Sequence, residues 1–150
     1  MNITRGEAAQ LMVENICPFC FHKGNTVPII TVKSILKPKG LERFYPYAQH
    51  YFCTNPACVV IYFDQHENVY EKHDIKVSVK DRGAPICYCF DWTKEKLELG
   101  VKGGIDPFNY IRIMVLASRN ACELLNPEGH TCLEKVSEFI KEFENEDSKW

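Results

Sequence analysis

Hydrophobic and polar positions follow two different rhythms along this chain, and the change falls near its middle. Val27 to Leu36 (VPIITVKSIL), Tyr51-Phe52, Val59 to Phe63 (VVIYF) and Ile75 to Lys80 (IKVSVK) are rich in β-branched and aromatic residues, and the last alternates with period two. Each is expected to be a strand, with Lys76, Lys80 and Arg82 on the solvated side of the last. Lys37-Pro38-Lys39-Gly40 and Asn55-Pro56 supply turns between them. A short helix over residues 5–14 is announced by Thr4 with Glu7 three positions on, a capping-box pattern. Residues 1–82 therefore read as mostly β.

After Asp81-Arg82-Gly83-Ala84-Pro85 the spacing becomes helical. Asp91 is expected to cap a helix running to about Val101, which Gly103-Gly104 breaks. Asp106-Pro107 is a cap followed by proline at the first helical position, and Phe108, Ile111, Val115 and Leu116 then fall on one face. Thr131 with Glu134 is a second capping box. Leu133, Val136, Phe139, Ile140 and Phe143 form the apolar stripe of the final helix, and the tail ENEDSKW is polar. The expected fold class is α+β: a mainly β subdomain over residues 1–82, followed by a small helical subdomain over residues 83–150.

Composition changes this picture in one respect. A chain of 150 residues divided into halves of this size leaves each with a small core, and the sequence contains 8 cysteines. The N-terminal MNITRGEAAQLMVENI lacks a charged leader with an apolar run, and no apolar run approaches bilayer-spanning length. The expected location is the cytoplasm, without membrane insertion. There, an even cysteine count points to metal rather than to the disulfide scaffold that irregular spacings would also suit. A formal net charge of -2 gives no basic footprint for nucleic acid. Metal bound by thiolates would make the protein more acidic still.

Cys17-x2-Cys20 and Cys53-x4-Cys58 are two thiol pairs flanking a β segment, the spacing from which tetrahedral zinc sites are built. Four thiolates close the shell and leave no position for water, so such a site is structural. Cys87-Tyr88-Cys89 is the second motif. On extended chain both thiols point to one side and can hold a single iron. Cys122 lies beside the turn Asn126-Pro127-Glu128-Gly129, and Cys132 opens the final helix. Four thiolates are the ligand count of a 2Fe-2S cluster, and helix N-termini favour an anionic group. Sequential grouping of the cysteines is preferred over interleaving because each set then lies within one subdomain.

These residues carry a resemblance. Cys17-Pro18-Phe19-Cys20, Cys87-Tyr88-Cys89-Phe90 and the phrase from Cys122 to Cys132 (CELLNPEGHTC) resemble the N-terminal domain of CopZ-type copper chaperones of archaea and bacteria, over about residues 13–142. The helical half is also similar to bacterioferritin-associated ferredoxin, departing from it by closing with Cys-x9-Cys in place of Cys-x2-Cys. The resemblance implies one zinc at Cys17, Cys20, Cys53 and Cys58, and one 2Fe-2S cluster at Cys87, Cys89, Cys122 and Cys132. It further implies a redox role near copper handling, reducing Cu(II) to Cu(I) with a redox or metal-trafficking protein as partner. The Met-x-Cys-x-x-Cys loop of the copper-carrying module does not occur in the sequence. The implied function that remains is therefore electron transfer, which needs only the cluster.

Two other functions compete with this expectation. Catalysis by the protein itself lacks support, because His50, His66, His73 and His130 are scattered and are expected at the surface. A non-redox, zinc-stabilised interaction module would use Phe44-Tyr45-Pro46-Tyr47 and Tyr51-Phe52 as a partner surface, whereas aromatics of this kind more often belong to a core.

Overall fold

A computed structural model describes residues 15–147. The helix expected over residues 5–14 lies outside the described residues. The architecture is α+β, an antiparallel sheet followed by helices, and the chain packs into two compact units, Met1–Lys80 and Asp81–Trp150.

The first unit contains β1 (Gly24–Val27), α1 (Ile29–Ile35), α2 (Pro38–Glu42), β2 (His50–Cys53), β3 (Val60–Asp64) and β4 (Val69–Glu71), followed by a 3-10 turn at Lys72–Asp74. The four strands are antiparallel in the order β1-β2-β3-β4. Every residue of β2 and β3 is buried, so both sheet faces are covered. On one face Phe52, Ile61, Tyr62 and Tyr70 pack with Val32, Ile35 and Leu36 of the α1 segment. On the other, Tyr51, Val60 and Phe63 pack with Cys17, Cys53 and Cys58. The cysteine cluster thus occupies the place of a second apolar layer.

A bulge makes this arrangement possible. The β3–β4 register shifts between Val60 and Tyr62, so that Val60 opposes Glu71 and Tyr62 opposes Tyr70. An extra residue resets the alternation of side chains. Ile61 and Tyr62 both join the helix-covered core, and Val60 returns to the cysteine side.

Two expected strands are corrected. Val27 ends β1, and Pro28, with φ -60, is the N-cap of a helix instead of a strand residue. Proline has no N–H for a sheet ladder and suits a helix start. Val32, Ile35 and Leu36 then recur at helical spacing and reach 0–2% exposure, which outweighs their β propensity. Ile75 to Lys80 is also not a strand. Ile75 makes one isolated bridge to Leu36, and the Lys76 N–H donates to Ile35 O at 2.9 Å. The alternation survives as burial of Ile75 and Val79. The strand that completes the sheet is the three-residue β4, too short to stand out as a pattern.

The second unit contains α3 (Lys94–Lys102), α4 (Pro107–Leu116), the single turn α5 (Cys122–Leu125) and α6 (Leu133–Asp147). Thr93, and not Asp91, caps α3, its side chain accepting from the Lys96 N–H at 3.2 Å. Asp91 has φ 54 in the preceding turn and pairs with Lys96 at 2.8 Å. Asp106 caps α4 with Pro107 at its start, as expected. Leu97, Ile111 and Val136 are fully buried and form the core with Cys87 and Cys132; Phe108, Val115, Leu133, Phe139 and Ile140 pack around them. Leu116 departs from the expected face and is 71% exposed.

Candidate metal centres

Cys17 and Cys20 sit at the end of a small hairpin closed by the Ile16–Lys23 bridge. The Cys17 N–H donates to His22 O and the Phe21 N–H to Cys17 O, both at 2.9 Å. This tight turn drives Phe21 to φ 63, a conformation that side chains with a Cβ rarely adopt. Cys53 ends β2. Cys58 follows a turn in which Asn55 accepts from the Ala57 N–H at 3.0 Å and its carbonyl accepts from the Cys58 N–H at 3.1 Å. The two turns are tied directly, because Thr54 Oγ1 donates to Lys23 O at 2.6 Å.

The four sulfurs of Cys17, Cys20, Cys53 and Cys58 lie within 4.8 Å of one another. A tetrahedral metal with bonds of about 2.3 Å to sulfur requires sulfurs about 3.8 Å apart, so the donor set fits zinc in both chemistry and spacing. Amides are arranged to receive thiolate charge. The backbone N–H two residues on bonds the sulfur of Cys20 (from His22), Cys53 (from Asn55) and Cys58 (from Val60). Burial resists ionisation of Cys20, but the His22 N–H, with Cys53, Asn55 and Cys17, brings that thiol down to about 6. Burial pushes Cys53 up to about 12. The unequal thiols thus provide a ready thiolate beside a buried one that a metal must ionise. His22 is exposed, its Nδ1 at 3.2 Å from Cys20 O, and is not among the clustered ligands.

The second quartet is organised differently. Cys87 and Cys89 do not lie on extended chain. Residues 88–91 form a turn closed by the Cys87–Trp92 bridge, with the Trp92 N–H donating to Cys87 O at 3.0 Å. The two thiols are therefore directed to different partners. Cys89 meets Cys122, sulfur to sulfur at 3.4 Å, and the Cys87 thiol is hydrogen-bonded to that of Cys132. Cys122 is the first residue of α5, and Cys132 immediately precedes α6. Among the described residues, no second group of three or more ligand atoms meets the close spacing of the first site.

Nitrogen donors again surround sulfur. The Ala121 N–H donates to Cys89 Sγ at 3.3 Å, and Asn120 Nδ2 donates to Cys122 Sγ at 3.4 Å. Cys132, assisted by the amides of Phe90, Cys89 and Trp92, draws Cys87 down to about 7 against its burial. Burial raises Cys89 to about 12, and the bond to Cys87 raises Cys132. Cys87, Cys122 and Cys132 are buried, and Cys89 is half-buried. The four thiols thus form two pairs, each joining the 87–92 turn to a helix start.

Other expectations meet mixed outcomes. His50 is completely buried, whereas His66, His73 and His130 are exposed. Tyr51 and Phe52 belong to cores; Tyr45 and Tyr47 are exposed. Lys80 is half-buried against backbone carbonyls, not solvated on a strand. The donor roles of Asn120, Ala121 and Asn55 toward sulfur have no spacing signature in the sequence, although Asn55-Pro56 is legible there as a turn.

Residues 14–76 match the zinc binding domain family of the CopZ type. The X-ray structure of the Archaeoglobus fulgidus CopZ N-terminal domain is similar to this chain, with a TM-score of 0.65 at 28% identity over 82% of this chain and 95% of that one. Comparison with curated proteins yields no match. The first unit is thus similar to zinc-binding domains of the copper-chaperone type, and its four-cysteine group suits a metal ion. No helix among the described residues is long and apolar enough to cross a membrane.

Proposed function

We propose that this protein is a cytoplasmic electron carrier in metal handling, with zinc bound in residues 1–82 and a 2Fe-2S cluster in residues 83–150. Cys17, Cys20, Cys53 and Cys58 would hold zinc, whose role is structural because four thiolates leave no open position. Cys87, Cys89, Cys122 and Cys132 would hold the cluster, in a helical unit similar to bacterioferritin-associated ferredoxin. The observation that carries the reading is the grouping of the second quartet into two thiol pairs, Cys89 with Cys122 and Cys87 with Cys132.

When bound, such a cluster accepts and releases one electron. The residues around it stabilise the added charge. The Ala121 amide and the Asn120 side chain direct N–H dipoles at sulfur, the interaction by which a protein tunes cluster potential. Burial of Cys87, Cys122 and Cys132 excludes water, and half-buried Cys89 marks the edge for exchange with a partner. Copper is the substrate favoured by the resemblance to copper chaperones. Cu(II) takes up one electron to become Cu(I), and a one-electron donor protein restores the carrier.

Metal analysis of anaerobically purified protein, read beside its visible spectrum, tests this. The expected result is zinc together with iron and sulfide in equal amounts, and a brown colour that dithionite bleaches. A colourless protein containing zinc alone, even after anaerobic reconstitution with iron and sulfide, would leave the non-redox, zinc-stabilised interaction module.

A further inference from the structure

Lys80 occupies a position that neither its residue type nor the chain around it explains. Its φ is 64, in the left-handed region that an ordinary side chain enters only when surroundings hold it there. The side chain reaches back twenty residues to the second cysteine turn. Nζ donates to Val60 O at 2.6 Å and to Cys58 O at 3.4 Å, and lies 5.5 Å from the centre of the Phe52 ring. Among the described residues no carboxylate pairs with this ammonium; its partners are carbonyls and a ring face.

These contacts bracket the segment that presents Cys58. The Val60 N–H donates to Cys58 Sγ at 3.4 Å, so fixing the carbonyls of Cys58 and Val60 also fixes the peptide geometry that aims this donor. A divalent ion with four thiolates carries a net charge of about -2, and a half-buried cation offsets it more strongly than a solvated one. Groups that orient and polarise metal ligands in this way govern metal affinity although they never touch the metal.

We propose that Lys80 is a positioning residue of the zinc centre, holding the Cys58–Val60 segment in its ligating conformation and offsetting the charge of the metal-thiolate group. The inference rests on the assignment of zinc to Cys17, Cys20, Cys53 and Cys58. Two parts of the side chain's role can be separated. A guanidinium keeps the charge, a glutamine keeps a donor without it, and glycine removes the side chain while relieving the strained φ.

The test is zinc affinity of the full chain by competition with a chromophoric chelator, with thermal unfolding of the zinc-saturated proteins measured alongside. Lys80→Gln and Lys80→Gly are expected to weaken zinc binding by about tenfold or more, and Lys80→Arg to stay close to wild type. If Lys80 serves only the local turn, Lys80→Gly retains wild-type zinc affinity and unfolds at an equal or higher temperature, which overturns the proposal. Equal loss in Lys80→Arg and Lys80→Gln overturns the charge role, and that comparison remains decisive if Lys80→Gly does not fold. Wild-type protein without zinc, or Cys53→Ser with full zinc, would instead overturn the zinc assignment and leaves a different signature from unchanged affinity in the Lys80 variants.

Discussion

His50 lies directly opposite Asp64 in the β2–β3 register, and both side chains are buried. Nδ1 of His50 lies 2.9 Å from Ala48 O; since a carbonyl only accepts, Nδ1 carries the proton, and the ring stacks on Phe44 at 4.6 Å. Burial lowers the His50 pKa below the ordinary histidine value, against the opposing pull of the Ala48 carbonyl and Asp64. The unfolded chain therefore binds the second imidazole proton more readily than the folded one, so His50 favours folding above about pH 6.5 and that contribution is lost as pH falls below it. A histidine-resolved NMR titration should place the His50 midpoint below the ordinary histidine value of about 6.5. A midpoint at or above that value would remove His50 from the causes of acid destabilisation.

Gly24 faces Phe63 across a gap that admits no side chain. A Cβ there would stand 2.6 Å from Phe63 Cζ and 3.0 Å from Phe52 O, and Phe63 is fully buried beside the cysteine cluster. Gly24→Ala should destabilise the first unit by roughly 1–3 kcal/mol, the usual range for overpacking. Chemical denaturation measures it. Phe63→Leu should make the added methyl cheaper, so a double-mutant cycle without coupling would refute the proposed clash.

Cys53 is fully buried within the first quartet. Because metal binding supplies folding free energy where the apolar layer is thin, Cys53→Ser should lose zinc and first-unit structure together. Zinc content and circular dichroism before and after chelation are the measurements. A folded, zinc-replete variant would exclude Cys53 as a ligand.

Cys132 precedes α6, whose apolar contacts do not depend on sulfur. Cys132→Ser should abolish or spectrally shift the cluster, since iron-sulfur clusters are built on thiolates, while helix content and zinc are retained. Iron and zinc per chain, read with the visible spectrum, decide the matter. Parallel loss of zinc would indicate interdependent sites; unchanged iron and spectrum would exclude Cys132.

Asn120 donates to Cys122 Sγ at 3.4 Å through a side chain, so this bond can be removed without disturbing backbone. Asn120→Ala should keep the cluster but lower its reduction potential, because an N–H dipole stabilises the added electron. Potentiometric titration of both proteins checks this, and equal potentials would show that the bond does not tune the site.

Much of the local structure was legible in the sequence. The Asp106-Pro107 start of α4, the apolar stripe of α6 and the strand character of Tyr51-Phe52 and Val60–Phe63 depend on neighbours in sequence, and spacing reports such preferences directly. Cys17-x2-Cys20 and Cys53-x4-Cys58 likewise announced a thiol set before any geometry was known. Val27 to Leu36 reads as a strand by its β-branched composition, but the missing N–H and fixed φ of Pro28 end the strand there. Ile75 to Lys80 reads as a strand but is not one, because alternation can mark burial without a sheet partner.

What only the tertiary structure decided was which atoms meet. Sequence grouped Cys87 with Cys89 as neighbours, but the turn closed by Trp92 sends them to Cys132 and Cys122 respectively. It placed His50 and Lys80 at the surface, whereas strand pairing buries the first and long-range carbonyls hold the second. Residue type and spacing determine how a segment prefers to bend and which chemistry it carries. The partner of a thiol, an imidazole or an ammonium depends on contacts between segments far apart in the chain, and a single sequence does not encode those contacts as a local pattern.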